Sequence, residues 1–126
     1  MKREKNILFV EDDKDTQELV RVTLALDGYG IVIAPDCAEG LRLAQKEYFE
    51  LYILDNWLPD GSGIDLCRRI REFDQRTPIL FYSGAGYERD TQVAIGSGAQ
   101  EYLIKPIGSE ELKQAVARLV SRPSSC

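Results

Sequence analysis

Residues 51–55 read Leu-Tyr-Ile-Leu-Asp: four apolar residues in a row, then a carboxylate. A run this short and continuous fits a strand buried on both faces, as in a parallel sheet covered by helices on either side. Three more runs share the design. Ile7-Leu8-Phe9-Val10 leads into Glu11-Asp12-Asp13, Ile79-Leu80-Phe81-Tyr82 into Ser83, and Tyr102-Leu103-Ile104 into Lys105-Pro106. In an open parallel sheet the ligand crevice lies outside the carboxyl ends of the strands, where the strand order reverses. Carboxylates, a hydroxyl and an ammonium therefore converge in one cleft.

Ile31-Val32-Ile33-Ala34 supplies a fifth strand, and the segments between strands carry helical periodicity. The pattern is α/β, (βα)5, doubly wound, because strands alternating with helices need right-handed crossovers and a parallel five-stranded sheet. The first helix, about 14–27, places Leu19, Val22 and Leu26 on one face before Gly28. The second opens with Asp36 and Glu39, spaced like a capping box, and presents Leu41, Ala44 and Tyr48. The third, about 63–74, shows Leu66, Ile70 and Phe73 and stops before Pro78. The fifth begins near Ser109 with Glu110 and Glu111 at the positive end of its dipole, and buries Leu112, Val116 and Leu119. The fourth, about 87–97, is weaker, with Gly96 and Gly98 near its end. It is the candidate mobile element.

The 126 residues fit one domain. Residues 1–121 read as that unit, and 122–126 as a tail or linker stub. Sixteen basic against twenty-one acidic residues give −5, and the basic ones are scattered, which argues against direct nucleic-acid contact. No apolar run approaches the ~20 residues of a membrane span. Met1 to Lys5 runs into a strand without a signal-peptide core, so the expected location is cytoplasmic with no membrane association. Three cysteines without a CxxC pair, and no histidine, suggest neither a disulfide framework nor a zinc site; Cys37 and Cys67 read as structural thiols, and the missing histidine removes triad chemistry.

Several carboxylates in one crevice repel each other, and hard divalent cations relieve that repulsion. Mg²⁺ in particular is held by a few carboxylates while it keeps waters and phosphate oxygens. Asp12 with Asp55 reads as a metal pair, whereas the plainer role of Asp13 is to cap the first helix. Asp55 can be a metal ligand, a nucleophile toward phosphorus, or both. Lys105 can pair with a carboxylate in one state and a phosphoryl oxygen in another. It precedes Pro106 at a strand-to-loop corner, where a cis bond is accessible. Ser83, before Gly84, can donate to a phosphoryl oxygen.

The ordered set ILFVEDD, LYILDNWLPDGSGIDL, ILFYSGAG and GAQEYLIKP closely resembles the receiver domain of two-component response regulators, of the chemotaxis-regulator type, from about 5 to 121. Each motif is weak alone, and all four in order are a specific signal. The resemblance implies a flavodoxin-like sheet of order 2-1-3-4-5 and a receiver domain over 1–121. It implies that Asp55 accepts a phosphoryl group from a histidine kinase or phosphotransfer protein with Mg²⁺, or Mn²⁺, present. Glu11 and Asp12 become the acidic pair serving the metal, joined by Asp55 and the backbone carbonyl of Trp57. Lys105 becomes the phosphate-contacting lysine, Ser83 the switch hydroxyl and Tyr102 the aromatic switch.

Tyr102 should then exchange between exposed and inward rotamers as Ser83 is drawn to the phosphoryl group. The face of the fourth helix, fifth strand and fifth helix should change with it, toward a downstream protein, an output domain or a phosphorylation-dependent homodimer. Such a chain is a signalling phosphoacceptor with slow self-dephosphorylation and not a metabolic enzyme. Two positions after Asp55 and Ser83 stand Trp57, bulky and apolar enough to shield the phosphoryl group, and Ala85, whose side chain cannot hydrogen-bond, and both favour a long-lived phospho-form. The alternatives are a pseudo-receiver acting as a docking module and a small aspartyl-phosphate phosphatase of the haloacid-dehalogenase type. The phosphatase motif wants a second aspartate where Trp57 stands. A flavin carrier on the same fold would need a phosphate loop where Glu11-Asp12-Asp13 would repel the phosphate.

Overall fold

The structure, a computed structural model, describes residues 5–84 and 88–120. Ala85, Cys126 and the rest of the 122–126 tail lie outside these residues. The elements follow as β1 (Asn6–Val10), α1 (Lys14–Ala25), β2 (Gly30–Ala34), α2 (Cys37–Lys46), β3 (Leu51–Leu54), α3 (Gly63–Arg71), β4 (Ile79–Ser83), α4 (Glu88–Gly96), β5 (Glu101–Ile104) and α5 (Ser109–Val120). All five strands are parallel, in the order β2-β1-β3-β4-β5. This is the flavodoxin-like (βα)5 arrangement expected. Trp57–Leu58 and Gly61–Ser62 add a small antiparallel ladder between β3 and α3. Nothing in the local pattern announces it, because two residues have no periodicity to read.

Alternate strand residues enter two cores. Leu8, Val10, Tyr52, Leu54 and Phe81 meet Leu43, Ala44, Leu66, Cys67, Ile70 and Ala94 of α2, α3 and α4. Ile7, Phe9, Leu51, Ile53, Leu80 and Tyr82 meet Val20 and Leu24 of α1 and Leu112, Ala115, Val116 and Leu119 of α5. Each strand therefore has an apolar layer on both sides, which is why the runs are continuous rather than alternating.

The apolar stripe chosen for α1 does not face the sheet. Leu19, Val22 and Leu26 are exposed by 58, 48 and 77 %, whereas Val20, Thr23 and Leu24 are buried. The helix phase is fixed at its start: Asp13 caps it, and the Gln17 side-chain amide donates to the Glu11 carbonyl at 2.6 Å. One turn on from Gln17 comes Val20, and the next is Leu24. Tyr48 and Phe73 are likewise exposed, because α2 ends at Lys46 and α3 at Arg71, short of both. The α5 face is as expected, with Ala115 added.

Register brings the chemistry together. Val10 pairs with Leu54, so Glu11 and Asp55 emerge side by side, and the Asp55 N–H donates to the Val10 carbonyl at 3.1 Å. Ser83 pairs with Ile104, and the Lys105 N–H donates to the Ser83 carbonyl at 2.9 Å.

Candidate phosphoryl and metal site

Glu11 ends β1 with only 1 % of its surface exposed. One carboxylate oxygen accepts from the Lys105 ammonium at 2.6 Å, and the other from the Asp13 N–H at 3.1 Å. Burial pushes the Glu11 carboxyl above its ordinary range, and the Asp55 charge adds to this against the Lys105 hydrogen bond. Asp12 is exposed at the mouth of the cleft. Carboxylate oxygens of Glu11, Asp12 and Asp55 lie within 4.8 Å of one another. Asp13 turns away: its carboxylate accepts from the Thr16 N–H at 2.9 Å and the Thr16 hydroxyl at 2.7 Å. The Thr16 hydroxyl bond holds the Asp13 carboxyl below its usual range. It is the N-cap of α1, as its plainer reading held.

Asp55, buried, follows β3. Its Oδ1 accepts from the Trp57 N–H at 3.4 Å, and its Oδ2 lies 3.6 Å from Lys105 Nζ. Gly63, opening α3, packs against the Asp55 carbonyl so closely that a Cβ there would clash. The glycine is thus required by close approach rather than by a turn. Lys105 bridges Glu11 and Asp55 and rides 5.5 Å over the Tyr82 ring. Burial alone would lower its pKa, but the Glu11 hydrogen bond and the Asp55 and Glu11 charges outweigh that and raise it. The Lys105–Pro106 bond is cis.

Ser83 is fully buried at the end of β4, and its Oγ accepts from the Asn56 N–H at 3.3 Å. Tyr102 lies inward, its ring stacked on Phe81 at 5.5 Å and 5°. Burial pushes the Tyr102 phenol up. Trp57 is 67 % exposed beside this cluster. Glu11, Asp12, Asp55, Ser83, Tyr102 and Lys105 are thus drawn to one edge of the sheet. Asn56, Gln17 and Gly63 also belong to it, although no motif singles them out. A polar residue directly after Asp55 was the available signal for Asn56.

The thiols stand apart. Burial pushes Cys67 up to about 11, and burial with Asp60 pushes Cys37 up to about 12, so neither is primed as a thiolate.

A family-wide sequence model described as "Response regulator receiver domain" matches residues 7–117. The transcriptional regulatory protein TrcR of Mycobacterium tuberculosis is 33% identical over 118 residues, covering 94% of this chain and 46% of TrcR. The transcriptional regulatory protein DltR of Streptococcus agalactiae is 34% identical over 119 residues, covering 94% of this chain and 53% of DltR. The chain spans about half the length of the curated relatives it matches. Among solved structures, the non-phosphorylated HemR receiver domain from Leptospira biflexa has a TM-score of 0.91 at 29% identity, over 98% of this chain and 99% of that one. A parallel sheet of this order, an acidic cleft at its carboxyl edge and a family match over most of the sequence agree, and this chain belongs to the response regulator receiver domain family of two-component systems.

Proposed function

We propose that Asp55 accepts a phosphoryl group from the phosphohistidine of a histidine kinase or phosphotransfer protein, and that 1–121 form the unit that does so. The observation carrying this reading is the Lys105 ammonium lying between Glu11 at 2.6 Å and Asp55 at 3.6 Å, in a cleft where three carboxylates gather within 4.8 Å. An Asp55 oxygen attacks phosphorus, the P–N bond to the histidine breaks as the P–O bond forms, and the freed imidazole leaves with its electron pair. Lys105 then follows the charge from carboxylate to phosphoryl oxygen. The Ser83 hydroxyl turns from its present partners toward another phosphoryl oxygen.

The donor set fits a hard divalent cation: oxygen ligands only, and more negative charge than one ammonium offsets. Glu11, Asp12, Asp55 and the Trp57 backbone carbonyl would hold Mg²⁺, with Mn²⁺ as a substitute. When bound, the cation supplies charge neutralisation for the incoming phosphoryl group.

The readout is the face of α4, β5 and α5, offered to a downstream protein, an output domain or a second phosphorylated copy. No helix among the described residues is long and apolar enough to cross a membrane, and a cytoplasmic setting suits the chain. An output such as the transcriptional regulation named for TrcR and DltR would act through a segment outside these 126 residues, with no nucleic acid held by the receiver itself. The phosphatase alternative loses its second acid to Trp57, and the pseudo-receiver alternative leaves the Lys105 bridge without a task.

Intact-mass spectrometry after incubation with acetyl phosphate and Mg²⁺ tests the reading. One phosphoryl adduct is expected in the wild type and none in Asp55→Asn. An adduct of equal yield in the variant overturns it.

A further inference from the structure

Lysine carries a compact charge on a flexible four-carbon stem, so an ammonium stays in one place only where partners hold it. The backbone of Lys105 is tied by its N–H, which donates to the Ser83 carbonyl at 2.9 Å. Its side chain, 21 % exposed, reaches Glu11 at 2.6 Å and Asp55 at 3.6 Å. Both of those partners are carboxylates that a divalent cation in the cleft would claim. A third contact is of another kind. The ammonium stands 5.5 Å over the centre of the Tyr82 ring, inside the range at which a cation is drawn to an aromatic face. Strand register explains the meeting: Tyr82 pairs with Leu103, and Lys105 lies two residues beyond Leu103, hence on its face of the sheet and diagonal to Tyr82. The ring itself is set by packing. Tyr82 is 4 % exposed, in the apolar layer of Leu80, Leu112 and Val116, with Leu103 packed against that layer.

We propose that Tyr82 is a positioning residue whose ring face keeps the Lys105 ammonium in the cleft when the carboxylates that also hold it are engaged elsewhere. Any large apolar side chain could fill this place in the core layer, whereas an aromatic ring also offers a negative face to a cation. A divalent cation at the carboxylates would repel the ammonium and compete for both of its acidic partners. Without the ring, the flexible stem would then carry the charge out to solvent. Over the ring it stays beside Asp55, ready for a phosphoryl oxygen. The consequence for signalling rests on the reading of Asp55 as phosphoacceptor. The apparent affinity of a ligand scales with the fraction of protein already competent. A fall to about a third in the fraction with its ammonium in the cleft would weaken binding of a phosphoryl mimic about threefold.

The first test needs no ligand. In protein carrying ¹³C at the lysine ε-carbons, the Lys105 ε-methylene resonance is identified by its loss in Lys105→Arg. A ring face shields protons held above it, so this resonance should stand upfield of the other lysines and join them in Tyr82→Leu. A resonance already among the other lysines in the wild type overturns the proposal. A second measurement, also ligand-free, does not depend on Tyr82→Leu folding. Glu11→Gln removes the nearest carboxylate charge, and in that background position 82 carries either phenylalanine or pentafluorophenylalanine, which keeps the ring's shape and reverses the sign of its face. By ¹³C relaxation the Lys105 ε-methylene should stay ordered over the phenyl ring and become as mobile as an exposed lysine over the fluorinated one. Equal mobility overturns the proposal. The third is the beryllofluoride midpoint with Mg²⁺, which should be about threefold higher in Tyr82→Leu than in Tyr82→Phe. Equal midpoints overturn the proposal. If the wild type binds no beryllofluoride at all, the phosphoacceptor reading fails, and the two ligand-free measurements still decide the role of Tyr82.

Discussion

Glu11, Asp12 and Asp13 are neighbours in the chain and face three environments. Glu11 is buried and pinned by Lys105, Asp12 is exposed at the cleft, and Asp13 is committed to Thr16 at the start of α1. Trp57, the only tryptophan, donates its N–H to Asp55 and leaves its indole exposed beside that cleft. Adding Mg²⁺ should therefore change tryptophan fluorescence saturably. The response should vanish in Asp12→Ala and survive in Asp13→Ala. Equal losses in the two variants would put Asp13 in the metal site and contradict its cap geometry. Trp57 also bears on lifetime. Its indole is bulky and largely apolar, able to shield the acyl phosphate from water. Replacing it with asparagine should speed the decay of phosphorylated protein by roughly tenfold, equivalent to about 1.4 kcal/mol of barrier. Decay is measured after donor removal at constant Mg²⁺, and an unchanged rate would mean that this side chain does not limit water access.

At the scale of elements, α4 differs from its neighbours in how little it buries: among its described side chains only Ala94 is fully inside. The glycines near its end are not the cause, since Gly96 closes the helix and Gly98 follows it at φ +118°, where a side chain would be strained. The end of α4 is held from α3. Arg71 donates to the Gly98 carbonyl from Nε at 3.1 Å and Nη2 at 2.8 Å, and from Nη2 to Gln100 Oε1 at 3.2 Å. The same Gln100 oxygen accepts from the Ile79 N–H at 2.7 Å, locking the anchor to β4. A helix tied at its C-terminal end and weakly buried along its length is a natural moving part. Hydrogen exchange with and without beryllofluoride should therefore differ in α4 and β5, and least around Gly98. Differences confined to the loops around Asp55 and Ser83 would place the output surface elsewhere.

For the whole molecule, the cleft is where folding stability and function meet. Three carboxylates are held within 4.8 Å of one another by strand register, so the native state gathers a cation site that the unfolded chain lacks. Mg²⁺ at ten times its dissociation constant should add ~1.4 kcal/mol to unfolding free energy and raise the melting temperature by several degrees. Asp12→Ala should remove most of that shift. A rise as large in the variant would show that the cation stabilises the protein at some other place.

Continuity of the apolar runs determined the strands, their burial on both faces and hence a parallel (βα)5 sheet. Residues at the ends of those runs determined which groups meet, because a parallel sheet delivers all its carboxyl ends to one edge. Asp55, Asp12, Glu11, Ser83 and Lys105 were legible for that reason alone. Helix phase was not. Leu19, Val22 and Leu26 form as regular a stripe as Val20 and Leu24, and only the caps at Asp13 and Gln17 decide which stripe meets the sheet. Asn56 was equally hidden, since its partners Gly63, Ile64 and Ser83 come from two other elements. A buried amide acquires its role from the donors and acceptors that tertiary packing places around it, and local sequence carries no record of them.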